Sequence, residues 1–333
     1  MAEMNLQVLL RRRPKGEPVP EDFDIVETPV SQPGPGEVLV RAHYLSLDPY
    51  MRGRMSDAKS YSAPVEIGAV MEGQTAGEVV ASNAPGFAPG DTVLGGFGWQ
   101  RFSVVQPARL FKIDPKEAPL SASLGVLGMP GLTAWVGLED IGQPKGGETV
   151  VVSAASGAVG QVVGQIARIR GCKVVGIAGG AKKCEFVTEV LGFDACIDHR
   201  GDLNAQLDRH CAQGIDVYWE NVGGAVQRAV FPRLNDHARM VMCGMIAEYN
   251  DTEARPGPNL MAAVRKRLRI QGFIVSDNGW TRYPQFRTEM LGYMASGRMA
   301  WREDVVEGLR NAPSAFIGLL KGENFGKLVI KID

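Results

Sequence analysis

Residues 149–153 read Thr-Val-Val-Val-Ser, and Ala154-Ala155-Ser156-Gly157-Ala158-Val159-Gly160 follows directly. After the small residues, Val159, Val162, Val163 and Ile166 recur at helical spacing. A buried strand, a tight turn and a helix start are the parts that hold a dinucleotide pyrophosphate. Against Gly-x-Gly-x-x-Gly, Ala155 occupies the first glycine position, while Gly157 and Gly160 are kept. Gly157 lets backbone approach a pyrophosphate closely. Gly160 lets the helix sit tight on the sheet, and Gly164 extends that small face by a turn. The helix start adds N–H groups and the positive end of its dipole. Structural turns use glycine too, but strand and helix flank this one on the required sides.

The end of the next strand decides which dinucleotide. An NAD site wants Asp or Glu there, to bind the adenosine ribose hydroxyls. Val174–Ala178 instead leads into Gly179-Gly180-Ala181-Lys182-Lys183. No acid stands there to repel a phosphate, and two lysines follow. That chemistry suits the 2′-phosphate of NADP. An exposed lysine pair at a helix start is the bland alternative, and the missing acid favours NADP.

No metal site is expected. The first 170 residues hold no cysteine, and their single histidine is His43; His199, His210 and His237 are scattered. Catalytic and structural zinc both need clustered ligands. A Gly-x-Ser-x-Gly hydrolase elbow is absent. The five cysteines are odd in number and widely spaced, which fits reduced thiols in the cytoplasm. A net charge of −1 points to neither nucleic acid nor an anionic membrane as partner. No long apolar run predicts a membrane span, and no secretory leader is expected at the N-terminus. Arg265-Lys266-Arg267-Leu268-Arg269 reads as a solvated helix face.

At 333 residues, two domains are expected. The first third has short strands at 38–42 and 77–81 and a turn at 87–95 leading into a third, with Pro and Gly punctuation that predicts a mostly β domain. Near Leu120 the pattern changes to alternating helices and strands, with strands at 149–153, 174–178, 195–197, 217–219, 240–243 and 270–275. That rhythm predicts an α/β fold with a doubly wound parallel sheet of Rossmann type. Residues 325–332 form a terminal strand that should pair back into the first domain. The expected division is therefore 1–122 with 296–333 as one domain, and 123–295 as the other. Glu248–Asn259, rich in Pro, Gly, Asn and Asp, reads as a loop over a site.

Several segments together resemble a known family. They are Leu45-Ser46-Leu47-Asp48-Pro49-Tyr50-Met51-Arg52, Gly128-Met129-Pro130-Gly131-Leu132-Thr133-Ala134, the 154–160 turn, Glu220-Asn221-Val222-Gly223-Gly224, Cys243-Gly244-Met245-Ile246-Ala247-Glu248-Tyr249-Asn250 and Gly322-Glu323-Asn324-Phe325-Gly326-Lys327. The chain resembles the zinc-independent medium-chain reductases of the leukotriene B4 12-hydroxydehydrogenase, prostaglandin reductase and alkenal or curcumin double-bond reductase group. The resemblance implies that the β domain is GroES-like and substrate-binding, that NADP(H) is the cofactor, and that the chain is a homodimer.

It further implies that Lys183 binds the 2′-phosphate and that Ala155 through Gly160 hold the pyrophosphate. His199 stands near the adenosine phosphate, where relatives often carry Tyr; imidazole still donates a hydrogen bond there. Asn221, Cys243, Gly244, Ile246, Tyr249, Phe273, Ile274, Val275 and Asn324 match further cofactor contacts. Val264 replaces a tyrosine of some mammalian members, so that tyrosine's role does not transfer.

The implied reaction is hydride transfer to the β-carbon of an α,β-unsaturated ketone or aldehyde. Charge builds on the carbonyl oxygen, and a donor at that oxygen stabilises the transition state. Tyr249 is the first choice for that catalytic donor and Tyr50 the second; the bland alternative for each is a half-buried ring used for packing. Tyr50, Arg52 and Met129 are expected to line the substrate pocket. Rival readings are an NADPH quinone reductase, dehydrogenation of a lipid hydroxyl, and a non-catalytic NADPH-binding protein.

Overall fold

The computed structural model describes residues 3–332. Alternating apolar residues in the first third form β1 (Met4–Leu10), β2 (Phe23–Pro29), β3 (Val38–Ser46), β4 (Thr75–Ser82), β5 (Thr92–Gly95), β6 (Phe102–Val105) and β7 (Leu110–Lys112), with the short helix α1 (Met51–Arg54) after β3. β1 and β2 pair as a separate antiparallel ribbon. The larger sheet runs β14-β15-β3-β4-β5-β7, with β6 also on β3; β14 is Glu303–Glu307 and β15 is Lys327–Lys331. The terminal strand therefore does return to the first sheet, antiparallel to β3. Glycine is required at position 77, where a Cβ would lie 2.0 Å from the Arg41 carbonyl oxygen on β3.

The middle of the chain builds α2 (Met129–Gly137), β8 (Thr149–Ser153), α3 (Gly160–Ile169), β9 (Lys173–Ala178), α4 (Ala181–Glu185), β10 (Ala195–Asp198), α5 (Leu203–His210), β11 (Ile215–Glu220), α6 (Gly224–Val230), β12 (Leu234–Met242), α7 (Met261–Lys266) and β13 (Arg269–Gly272). The strands form one parallel sheet in the order β10-β9-β8-β11-β12-β13. β8 is buried at every residue, as a central parallel strand must be. The chain leaves β8 in one direction for β9 and β10, then returns to its other side for β11. A crevice opens at that switch, beyond the carboxyl ends of the strands.

The last parallel strand is shorter than its apolar run suggests. β13 ends at Gly272, and Val275 already begins another short helix, Val275–Asn278. Phe273 leaves the sheet because its ring packs edge-on against Trp219, with centroids 6.0 Å apart. Apolar content alone does not separate a strand from a turn that is held by a core contact.

Candidate active site

One cleft of about 930 Å³ runs between the two sheets. Its floor on the Rossmann side is the turn after β8. Ser156, Gly157, Ala158, Val159 and Gly160 all line it. A Cβ at position 160 would lie 2.2 Å from the Ala154 carbonyl oxygen, so only glycine lets the helix start this close to the turn. Further along α3, a Cβ at position 164 would enter the Phe193 ring.

Ala155, expected to hold the pyrophosphate, does not line the cleft. It is fully buried, and its N–H donates to the Ile177 carbonyl at 3.0 Å. The left-handed conformation of the turn falls one residue earlier, on Ala154 (φ 50°), which does face the cleft.

At one end, β9 and β10 deliver the cationic residues. Gly180, at φ 91°, turns the chain into α4 and donates to Asp198 Oδ1 at 2.9 Å. The same Asp198 oxygen accepts the Arg200 backbone N–H at 3.0 Å. These bonds bring Lys183, His199 and Arg200 to the cleft together. Lys183 reaches across it, its Nζ donating to the Gly322 carbonyl at 2.7 Å. Burial, and then the charge of Arg200, hold the Lys183 ammonium below its ordinary pKa. Two cations sharing one corner are poised for a dianion. Arg200 was missed in the sequence, although it stands directly after His199.

In the centre, Asn221 lines the cleft and is locked to β8: its Nδ2 donates to the Ser153 carbonyl at 2.7 Å, and its N–H to Ser153 Oγ at 2.7 Å. The fully buried Glu220 beside it accepts from Val222 N at 2.7 Å, Gly223 N at 3.0 Å and Ser153 Oγ at 2.9 Å. Burial pushes its carboxyl pKa up, against those hydrogen bonds. Glu220 thus shapes the Asn221–Gly224 loop, whereas from sequence Asn221 alone in this run is assigned a site role. Cys243, Gly244, Ile246, Phe273, Ile274 and Val275 line the same region, and Asn324 closes it from the other domain.

The phenols gather at the other end. Tyr249 lines the cleft, and its hydroxyl sits over Gly244, where a Cβ would be 2.7 Å from it. Burial first, then neighbouring Cys243, push its pKa up to about 12. Tyr50 and Met129 line the cleft from the first domain and α2. Burial first, then the Asp48 charge, push the Tyr50 phenol well up. Tyr61 stands beside them at the mouth, with the Arg54 guanidinium 4.4 Å over its ring; it carries no sequence signature.

Arg52 is not among the lining residues. It turns away, and Nε donates to Asn250 Oδ1 at 3.0 Å while Nη2 donates to the Gly16 carbonyl at 2.8 Å. It is a buried strut that ties the loop after Tyr249 to the first domain. That loop does come over the cleft, where it contributes Arg255.

A buried ion pair lies near Tyr50, whose phenol feels the Asp48 charge. Lys327 Nζ donates to Asp48 Oδ1 at 2.9 Å and to the Leu47 carbonyl at 2.7 Å, and Ser46 Oγ donates to the other Asp48 oxygen. Both side chains are almost fully buried, at 1% and 6% exposure. Lys327→Met should cost about 3–5 kcal/mol, because Asp48 keeps a buried charge without its partner. The check is urea unfolding; adding Asp48→Asn should restore part of the loss. A single-mutant cost under about 1 kcal/mol would contradict the pairing.

Known proteins resemble the chain over both of its halves. Residues 6–113 match the family described as N-terminal domain of oxidoreductase, and residues 158–292 match that described as zinc-binding dehydrogenase. The chain is 53% identical over 336 residues to the NADPH-dependent curcumin reductase of Escherichia coli, covering 99% of this chain and 97% of that one. The chain belongs to the medium-chain dehydrogenase/reductase family. Within that family it is also 40% identical to the NADP-dependent 2-alkenal reductase of Nicotiana tabacum, over 99% of this chain and 98% of that one. CurA from Vibrio vulnificus, solved in complex with NADPH, superposes with a TM-score of 0.95 at 49% identity, over 98% of this chain and 99% of that one. Despite the zinc in one family description, no group of three or more His, Cys, Asp or Glu among the described residues is placed to hold a metal. No described helix is long and apolar enough to cross a membrane.

Proposed function

We propose that this chain reduces the carbon–carbon double bond of α,β-unsaturated ketones and aldehydes, with NADPH as the reductant and no metal. The observation that carries the reading is one cleft with a Lys183–His199–Arg200 corner at one end and the half-buried Tyr249 and Tyr50 phenols at the other. The curcumin and alkenal reductases named above are relatives over nearly their whole length. The residues present fit NADPH. The 156–160 turn holds the pyrophosphate, and glycine leaves it room at position 160. Lys183, His199 and Arg200 hold the 2′-phosphate. Asn221, Cys243, Gly244, Ile246, Phe273–Val275 and Asn324 wall the nicotinamide half.

When bound, NADPH supplies the hydride that adds to the β-carbon. The protein's part is to hold the enone and stabilise the charge that develops on its carbonyl oxygen. Tyr249 donates to that oxygen, and Tyr50 lines the substrate side with Met129. With its pKa near 12, Tyr249 stays a neutral donor well past the ordinary phenol value near 10. The alkaline limb of kcat should therefore show no break near pH 10, and a break there that vanishes in Tyr249→Phe would contradict the assignment. A quinone reductase uses the same cofactor half; higher kcat/KM for quinones than for every enone tried would move the reading to that rival.

The chain acts in the cytoplasm on this reading, in keeping with five free thiols. It works as a homodimer joined through the edges of β13. That strand is the sheet edge, exposed at all four residues, and α7 beside it exposes Val264 at 71%. Exposed apolar edges are sites of strand pairing. Light scattering should give a dimer for the native chain and a monomer for Val264→Asp with Ile270→Lys; a native monomer would contradict it.

A further inference from the structure

Cys184 lies on α4 and Cys196 on β10, and both thiols are free and half-buried. Their sulfurs are 3.0 Å apart. That is only about 1 Å beyond a disulfide bond, which spans about 2.05 Å. The approach follows from the topology: α4 leaves the end of β9, and β10 pairs beside β9. The pair also flanks the cationic corner. Lys183 immediately precedes Cys184, and His199 follows Cys196 by three residues.

We propose that Cys184 and Cys196 are a peroxide-sensitive dithiol site, whose disulfide form binds NADPH less tightly than the dithiol form. The effect on binding rests on the reading of Lys183 and His199 as the 2′-phosphate cradle. Cys184 reacts first. It is the less enclosed thiol, and burial raises its pKa less than that of Cys196. Its thiolate attacks one oxygen of a hydroperoxide; the O–O bond breaks, and the departing oxygen takes a proton to leave as water or an alcohol. The Cys196 thiolate then attacks the sulfenic sulfur. The S–S bond forms, the S–O bond breaks, and the hydroxyl leaves as water with a second proton. Two thiols lose two electrons, and the peroxide gains them. A small thiol reductant reverses the change.

Closing the gap by about 1 Å draws Cys184, the fourth residue of α4, toward β10. Lys183 moves with it, away from the position that reaches Gly322 across the cleft. Losing one charge-assisted phosphate contact weakens binding about tenfold.

The test uses the intact protein and hydrogen peroxide. Trypsin cuts after Lys183 and Arg200, with no Lys or Arg between, so both cysteines fall on one fragment. After peroxide that fragment should be lighter by two hydrogens, and the KM for NADPH should rise about tenfold with kcat little changed. Dithiothreitol should reverse both. Cys184→Ser and Cys196→Ser should each keep normal turnover and lose the peroxide response. A fragment that stays a dithiol, or gains only oxygen, overturns the proposal, and so does a disulfide that leaves KM unchanged. The mass shift is read without the cofactor. Failure of the untreated protein to prefer NADPH over NADH is thus a separate result, which would count against the cradle itself.

Discussion

Lys183→Ala should raise the KM for NADPH by roughly 10–100-fold and leave that for NADH nearly unchanged. The ammonium is half-buried, shares its corner with Arg200, and has a carbonyl as its hydrogen-bond partner. A 2′-phosphate placed there would gain two cations and an imidazole donor, whereas NADH offers that corner only a ribose hydroxyl. Charge-assisted bonds contribute roughly 1.5–3 kcal/mol each, which sets the size of the effect. Lys183→Ala with Arg200→Ala should abolish the discrimination. Steady-state kinetics with both cofactors reads the outcome; an equal loss with NADH would mean that the variant has disturbed the fold of α4 instead.

Tyr249→Phe carries the second large effect. If its hydroxyl donates to the developing enolate, its removal should lower kcat about 10²–10³-fold, as for other single oxyanion donors, with little change in KM for NADPH. Tyr50→Phe should affect the enone KM more than kcat, because Tyr50 lines the cleft from the first domain, within reach of the Asp48 charge. Should Tyr50→Phe cost the larger share of kcat, the roles of the two phenols are reversed.

The parts of this site that local chemistry dictates were legible in the sequence. The strand–turn–helix at 149–160 and the acid-free Gly179–Lys183 segment need specific residue types at fixed spacing, and the cleft forms where they predict. Tertiary contacts decided the rest. Arg52 sits in a motif that faces the cleft, but an arginine side chain is long enough to turn back and satisfy Asn250 and Gly16. Ala155 was aligned to a glycine position, while the backbone took its left-handed turn at Ala154. Lys327 looked like one charge in a terminal strand; its pairing with Asp48 spans 279 residues, and no local pattern encodes that. Tyr61 reaches the cleft from an irregular loop, stacked under Arg54, where periodicity gives no guide.

The most direct test of the central claim is the product formed from a simple enone, identified by mass, with NADPH and NADH in parallel. The saturated ketone, with its carbonyl intact and formed at an appreciable rate only with NADPH, is the predicted result. An allylic alcohol as product, or equal rates with NADH, would contradict the account.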